Sequence, residues 1–191
     1  TQQAERQLDA LQAALDEVCA SCADIAGDLS GSTVVHSALH RGGGGSRTLY
    51  QVLYRTSEPL RDYARFDVAD SGGHCRYTTG ATLPTQALDT RWGLLPAAGE
   101  AESLVFRSET GGGLSAAQAA RGHAGELLGY VIASVDQAGF VKLFGGRYDA
   151  TCEVLLLDRQ WRMIYYSRPA QAGETVGALR AQLLSGAPLT G

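Results

Sequence analysis

The 191-residue sequence has no long apolar run, and no stretch approaches the roughly 18 consecutive apolar residues of a membrane-spanning helix. It also has no basic and then apolar stretch at its start, as a signal peptide would have. We therefore expect the chain as given to be soluble. It begins in a helical pattern at Thr1, without a methionine, which predicts a piece excised from a longer protein.

Cysteine is scarce, and four residues are too few for a disulfide-rich scaffold. A zinc site built from two CxxC pairs is not predicted, because only Cys19 and Cys22 have that spacing. This pair lies in a helical pattern, without the preceding strand of a redox motif. We expect buried thiols, and a disulfide is the alternative if the domain is extracytoplasmic. The redox state is left open for all four residues, namely Cys19, Cys22, Cys75 and Cys152.

The chain also lacks an excess of positive charge. Its formal net charge of −4 gives no general attraction to nucleic acids or to anionic membranes. Because 45% of the residues are hydrophobic and only 19% are charged, the composition is typical of a folded globular chain.

Motifs for catalysis and metal binding are absent as well. The glycine run RGGGGSR is not followed by the GKS or GKT of a phosphate-binding loop, and there is no GxSxG nucleophile elbow. His36 and His40 have the spacing of the two ligands in HExxH, but the glutamate is missing. We therefore predict no catalytic residue, no metal and no cofactor, and a fragment that is not an enzyme.

The sequence does contain a strict, regular spacing of apolar residues near its start. Apolar residues alternate in steps of three and four, which forms a narrow seam along a helix that packs against another helix. We predict a homodimer through this N-terminal helix, and the alternative is a helix that lies across its own domain. The seam consists of Leu8, Leu11, Leu15, Val18, Cys22, Ile25 and Leu29.

The middle of the chain has the patterns of an antiparallel sheet. Residues 65–80 alternate as a hairpin, a helix-leaning stretch follows at 83–102, and three further strand patterns end near residue 136. QAGFVKLFGGRYD then predicts a short helix closed by glycines. The predicted fold class is α+β: a long N-terminal helix, an antiparallel sheet with flanking helices, and then a second hairpin.

The hairpin pattern occurs twice, as FDVADSGGHCRYTT at 66–79 and as VLLLDRQWRMIYYS at 154–167. In each copy an apolar run ends in an aspartate, Asp70 or Asp158, and a tyrosine follows, Tyr77 or Tyr165. Aspartate at this position bonds the backbone of its own turn, so Asp70 is predicted to be a turn residue and not a catalytic one.

This order of elements resembles the Cache family of extracytoplasmic sensor domains, which are relatives of the PAS fold, in its double form. The resemblance rests on the long first helix, on the two hairpin segments, on RWGLLPAA and on GELLGYVIASVD followed by a helix. It implies an N-terminal helix at 1–40, a membrane-distal module at 41–147, and at 148–191 a membrane-proximal module that is rudimentary or truncated. Two modules that each begin with a hairpin would account for the repeat.

The resemblance also implies a ligand pocket between one face of the sheet and the helix-leaning stretch. Amino-acid sensors of the family carry Arg-x-Trp-Tyr there and a later Asp, whereas this chain has Arg91, Trp92 and Gly93, and VFRSE offers no matching Asp. An arginine can hold a carboxylate and an indole can cover a planar ligand. For the arginines the alternative is a solvated surface, and for the aromatic residues it is the core. The candidate ligand-binding residues are Arg91, Trp92, Tyr77, Arg107, Arg121 and Tyr130.

The function implied is that of an extracytoplasmic sensor that binds a small organic molecule, anions included, and signals through helix movement. The parent would be a bacterial membrane protein with its spans outside this fragment and a histidine kinase, a nucleotide cyclase or a chemoreceptor as its output. Two alternatives stay open: a cytoplasmic PAS-like regulatory domain, and a structural dimerisation module without a ligand.

Overall fold

The computed structural model describes residues 2–40, 47–84, 106–108, 112–168 and 172–185; for residues 107, 172–174 and 183–184 it describes the backbone alone. The helices are α1 (Gln2–Ser30), α2 (Thr33–His40), α3 (Arg47–Ser57), α4 (Gln137–Phe144) and α5 (Ala172–Leu184), with a short 3₁₀ turn at Glu58–Leu60. The strands are β1 (Arg65–Asp70), β2 (Cys75–Thr78), β3 (Arg107–Ser108), β4 (Leu114–Arg121), β5 (Leu127–Val135), β6 (Leu155–Leu157) and β7 (Met163–Tyr166).

The main sheet has five antiparallel strands in the order β2-β1-β5-β4-β3. Its first face carries Phe66, Val68, Val131 and Ala133, which are fully buried against the helices. Its second face carries the alternate residues, of which Ala69, Ala117, Tyr130 and Ile132 form a separate buried cluster. The two sets alternate because successive side chains of a strand point to opposite sides.

Helix α1 lies along the first face of the sheet and contacts β4 and β5. Five residues of the predicted seam are buried in this core, namely Leu11, Val18, Cys22, Ile25 and Leu29. Leu15 is half-buried, and Leu8 is 66% exposed. The seam therefore packs within its own chain, as the alternative interpretation had it, and the homodimer stays a prediction that the seam alone no longer supports.

The second hairpin docks on the end of the sheet and on α4. The Gly113 N–H donates to the Ile164 carbonyl at 2.6 Å, and the Gln137 side-chain amide donates to the same carbonyl at 2.8 Å. Phe140 and Phe144 of α4 contact the Tyr165 ring, with centroids 5.7 and 5.3 Å away. The hairpin thus shares one hydrophobic core with α1 and the first face.

The two hairpins have the same turn, as the repeated sequence predicts. In the first, Asp70 Oδ1 accepts backbone N–H groups from Gly72 and His74, each at 3.0 Å. In the second, Asp158 Oδ1 accepts those of Gln160 and Arg162, at 2.8 and 2.9 Å. The prediction that Asp70 is a turn residue is confirmed.

The turns differ at the position that needs a left-handed backbone. Gly73 has φ of 80° in the first turn, and Trp161 has φ of 63° in the second. Glycine adopts this conformation without a steric cost, whereas a residue with a side chain is strained there. The second turn therefore stores backbone strain that the first does not.

The predicted fold class is confirmed, with the long helix, the antiparallel sheet and the second hairpin in the expected order. Most of the helix-leaning stretch, residues 85–102, lies outside the described residues. Among the helices that the structure describes, none combines the length and the apolar character that a membrane crossing needs.

Candidate functional site

A row of polar residues crosses the second face of the sheet. The register pairs Arg65 of β1 with Ser134 of β5, Ser134 with Ser115 of β4, and Ser115 with Arg107 of β3. Residues that are paired across antiparallel strands lie on the same face. Four strands therefore contribute one polar residue each to a single line, with an arginine at each end.

The centre of this row is buried and hydrogen-bonded. The hydroxyls of Ser115 and Ser134 are 2.7 Å apart, and both residues are almost completely buried. Either hydroxyl is able to donate, and each has a further lone pair. The pair therefore places two polar groups at the middle of the face.

An ion pair adjoins the row at its β1 end. Arg65 Nε donates to Asp67 Oδ2 at 3.0 Å, and the Asp67 side chain is fully buried whereas that of Arg65 is 32% exposed. A buried carboxylate is costly unless a cation compensates its charge. Arg65 supplies that compensation and still reaches solvent.

Small side chains occupy much of the remaining second face. Ala69, Ala117 and Ala119 follow one another across β1 and β4, with Ile132 and the Tyr130 ring on the strand between them. Alanine side chains add little volume to a sheet face. The face thus combines little side-chain volume with a few polar groups, which is the character of a ligand site.

A cleft of about 310 Å³ opens at the end of the sheet where this row lies. Its walls come from the end of α3, the residues that follow the 3₁₀ turn, the residues that follow β2, the end of β5 and one side of α4. Arg65 and Ser134 line the cleft and also belong to the polar row. The cleft therefore connects solvent to the second face.

The structure brings some of the predicted ligand residues to this face and leaves others elsewhere. Tyr130 lies on it, and the backbone register places Arg107 in its polar row. Tyr77 lies instead in the core of the first face, where its ring meets Tyr50 edge to face at 5.4 Å. Arg121 is exposed at the far end of β4 and donates to the Gly125 carbonyl at 3.0 Å.

Arg91 and Trp92 lie outside the described residues, so their assignment as ligand contacts stays a prediction. Arg65, Asp67, Ser115 and Ser134 were not predicted. One sequence signal was available for Asp67, because aspartate is depleted in strands and here stands between Phe66 and Val68.

The cysteines and histidines do not form a site in the part of the chain that the structure describes. All four cysteines are free. Burial raises the pKa of Cys19 to about 11 and that of Cys22 to about 12, which keeps both thiols protonated. His36 contacts the Ser30 carbonyl at 2.6 Å, and no group of three or more His, Cys, Asp or Glu residues is arranged for a metal among the described residues.

Comparison with protein-family models gives no match, and comparison with curated proteins gives none either. Solved structures do match. An extracellular ligand-binding receptor from Desulfohalobium retbaense has a TM-score of 0.64 at 15% identity, over 92% of this chain and 34% of the other. The sensor domain of the V. cholerae histidine kinase DctB has a TM-score of 0.57 at 14% identity, over 87% of this chain and 66% of the other.

A third similar structure is the ligand-binding domain of the Campylobacter jejuni chemoreceptor Tlp3 in complex with L-valine. Its TM-score is 0.53 at 9% identity, and the match covers 93% of this chain and 76% of the other. The present chain spans about a third of the length of the Desulfohalobium chain and about two thirds of that of the DctB domain. At these identities the likeness shows a shared fold, as the resemblance in the sequence predicted.

Proposed function

We propose that this chain is the extracytoplasmic ligand-binding domain of a membrane-anchored signalling protein, and that it binds a small organic molecule on the second face of its sheet. The observation that carries the proposal is the buried polar row on a face lined by small residues. The three similar structures are, by their names, ligand-binding or sensor domains of receptors and of a histidine kinase, and they support a sensor role in place of catalysis.

The two faces of the sheet have different roles in the proposed sensor. The first face fixes α1 to the sheet through a continuous hydrophobic core. The second face carries the Ser115 and Ser134 hydroxyls, Tyr130 and the small side chains of the alanines. A ligand that contacts one arrangement of the strands more favourably than another shifts the equilibrium between the two arrangements. Because α1 is packed on the same strands, it moves with them.

Signal transfer between subunits is part of this proposal. A homodimer through the N-terminal part of α1 would turn a shift of one helix into a relative movement of two. Leu8 supports such a contact, because it is a large apolar residue that is 66% exposed on α1. Sedimentation equilibrium of the wild type and of Leu8→Ser tests it. A monomer at all concentrations for the wild type would refute the dimer and leave ligand binding untouched.

The ligand proposal is tested by a thermal-shift screen of the purified chain against small organic acids, amino acids, amines and neutral metabolites. A ligand at one hundred times its Kd adds about 2.7 kcal/mol to the free energy of unfolding. For a chain of this size, that corresponds to a rise in Tm of about 5–10 °C.

Two variants of one strand show whether the ligand lies on the second face. Ala119→Val adds volume to that face, so we expect the ligand-dependent rise in Tm to disappear. Gln118→Val changes the neighbouring residue, whose partner Val131 belongs to the first face, and we expect the rise to remain. Arg91→Ala and Trp92→Ala test the predicted contacts outside the described residues. If no compound raises the Tm of the wild type, the structural dimerisation module becomes the better interpretation.

A further inference from the structure

The cleft at the end of the sheet contains an arginine that is anchored at one nitrogen. Arg65 Nε donates to Asp67, and this is the one hydrogen bond that the Arg65 side chain makes with the described residues. A guanidinium group has five N–H donors, and its two terminal nitrogens together match the two oxygens of a carboxylate. Because Arg65 lines the cleft and is a third exposed, these donors are accessible to a small molecule there.

The surrounding backbone leaves room for Arg65 in this position. A Cβ atom at Gly80 would lie 2.5 Å from Arg65 Cδ, so the segment after β2 accommodates the arginine side chain because residue 80 is glycine. Asp67 is fully buried in the sheet and fixes the guanidinium from the inner side. The arginine is therefore held in place before any ligand arrives, which lowers the entropic cost of binding.

The burial of the Arg65–Asp67 pair is weak evidence for a stabilising role. Two ions lose much of their hydration when they are buried, and replacement of such a pair by apolar residues is often neutral or stabilising. Arg76 and Asp70 form a similar pair at the other end of the same hairpin, but there both side chains retain solvent exposure and the aspartate organises a turn. Asp67 lies within a strand and has no turn to organise.

The charges that line the cleft exclude a ligand with more than one negative charge. Each cation already contacts a carboxylate, and Asp136, which accepts the Gly139 N–H at 2.8 Å, adds a further carboxylate to the wall, so a doubly charged anion would not be compensated. The three pairs are Arg65–Asp67 at 3.0 Å, Arg61–Glu58 at 2.8 Å and Lys142–Asp62 at 3.7 Å. The volume of about 310 Å³ lies at the lower end of the range for ligand clefts.

We infer that the cleft binds a small organic monocarboxylic acid, with its carboxylate on the terminal nitrogens of Arg65 and its remaining atoms directed along the second face past Ser134. The inference rests on the proposed sensor function and names the ligand class and its anchor. Ser134 supplies a hydroxyl that suits a ligand with a polar group near its carboxylate, such as a 2-hydroxy or 2-oxo acid.

Thermal shift with defined probes tests the inference. The probes are acetate, propanoate, lactate and pyruvate, together with acetamide, propanamide, lactamide and inorganic phosphate, all at equal ionic strength. We expect at least one carboxylate to raise the Tm of the wild type, and its matched amide to leave the Tm unchanged. A larger rise with phosphate or with an amide than with any of the carboxylates would overturn the inference.

The variant Arg65→Gln/Asp67→Asn removes both charges and leaves no buried carboxylate without its cation. We expect its half-saturating carboxylate concentration to rise at least tenfold. The control Arg76→Gln/Asp70→Asn makes the same two changes at the other end of the hairpin and keeps the wild-type value. Ala81→Trp, at an exposed position in the cleft wall, adds a bulky ring without touching the core and abolishes binding. If Arg65→Gln/Asp67→Asn does not fold, carboxylate binding by Ala81→Trp tests the inference in its place.

The outcomes separate this inference from the proposed function. Unchanged carboxylate binding in both cleft variants refutes the role of Arg65. If an uncharged compound stabilises the wild type and loses its effect in Ala119→Val, the sensor proposal stands and the carboxylate inference fails. If no compound in either panel stabilises the chain, both fail together.

Discussion

A hydrogen bond between Ser108 and Asp158 joins the edge strand of the main sheet to the second hairpin. The Ser108 hydroxyl donates to Asp158 Oδ2 at 2.5 Å, and Ser108 is 7% exposed. The same carboxylate oxygen accepts Arg162 Nε at 2.7 Å, and the other oxygen accepts two N–H groups of the turn. We predict that this single bond between the hairpin and the edge strand makes a measurable contribution to global stability.

The magnitude follows from the charge and the burial. A hydrogen bond to a charged group contributes about 1.5–3 kcal/mol, and the lower end applies to Ser108→Ala because Asp158 keeps its other three donors. Asp158→Asn also weakens the pair with Arg162, which is half exposed and contributes about 0–1 kcal/mol. We therefore expect losses of about 1.5 kcal/mol for Ser108→Ala and about 2–3 kcal/mol for Asp158→Asn.

Urea unfolding of the wild type, the two single variants and the double variant measures the coupling energy between the side chains. We expect about 1.5 kcal/mol, which corresponds to a change in Tm of about 3–6 °C for a chain of this size. Asp70→Asn is the matched control, because Asp70 organises the same turn and bonds only its own hairpin among the described residues. A coupling energy below about 0.5 kcal/mol would show that the contact does not hold the hairpin to the sheet.

Three further predictions follow from the turns and the thiols. Partial burial of Asp158 raises its pKa, but the hydrogen bonds from Ser108 and from its own turn lower it further, to about 2 from an ordinary value of 3.8. The stability that this carboxylate contributes is therefore complete above pH 4 and is lost as the pH falls through 2. Urea titrations at a series of pH values should show less acid destabilisation in Asp158→Asn than in the wild type. Equal dependence of the free energy of unfolding on pH in the two proteins would contradict this. Gly73→Ala should lower the free energy of unfolding by about 1 kcal/mol, because φ is positive at residue 73. Trp161→Gly should lower it by less, because relief of the strained backbone offsets the lost ring contacts. A larger loss in Trp161→Gly than in Gly73→Ala would refute the argument. With a thiol reagent at pH 8, the exposed Cys152 should react quickly and Cys22, whose pKa burial raises to about 12, only after unfolding; two or more fast equivalents in the native protein would be inconsistent with the structure.

The strands and the first helix could be predicted from the sequence, because alternation and heptad spacing are local patterns. The partner of α1 could not. An apolar seam with steps of three and four is the same whether the helix packs on another helix or on a sheet, so Leu11 and Val18 were compatible with both. The exposed Leu8 shows where the seam continues past the sheet.

The candidate site was predicted less well than the fold, and the reason is again physical. Alternation in β1 places Phe66 and Val68 in the core and assigns Arg65 and Asp67 to solvent. The second assignment is valid only for a sheet with one solvent-exposed face. Here much of the second face is buried as well, so Asp67 is internal and Arg65 is only 32% exposed. Arg121 was predicted to be a ligand residue on β4. A register shift after Ala120 interrupts the alternation of side chains at the end of this strand, and the alternating sequence pattern alone does not show this shift.

The division of the sheet into two faces has an evolutionary consequence. Mutations on the first face disturb the core that joins α1, α4 and the second hairpin, and selection for folding removes them. On the second face, Ala117, Ala119, Ser115 and Ser134 have small side chains, so exchanges among residues of modest size change the shape of the site more than they change the scaffold. Sequences with this fold can therefore vary on the second face while they retain one architecture. That separation is consistent with a fold that is shared at sequence identities of 9–15%.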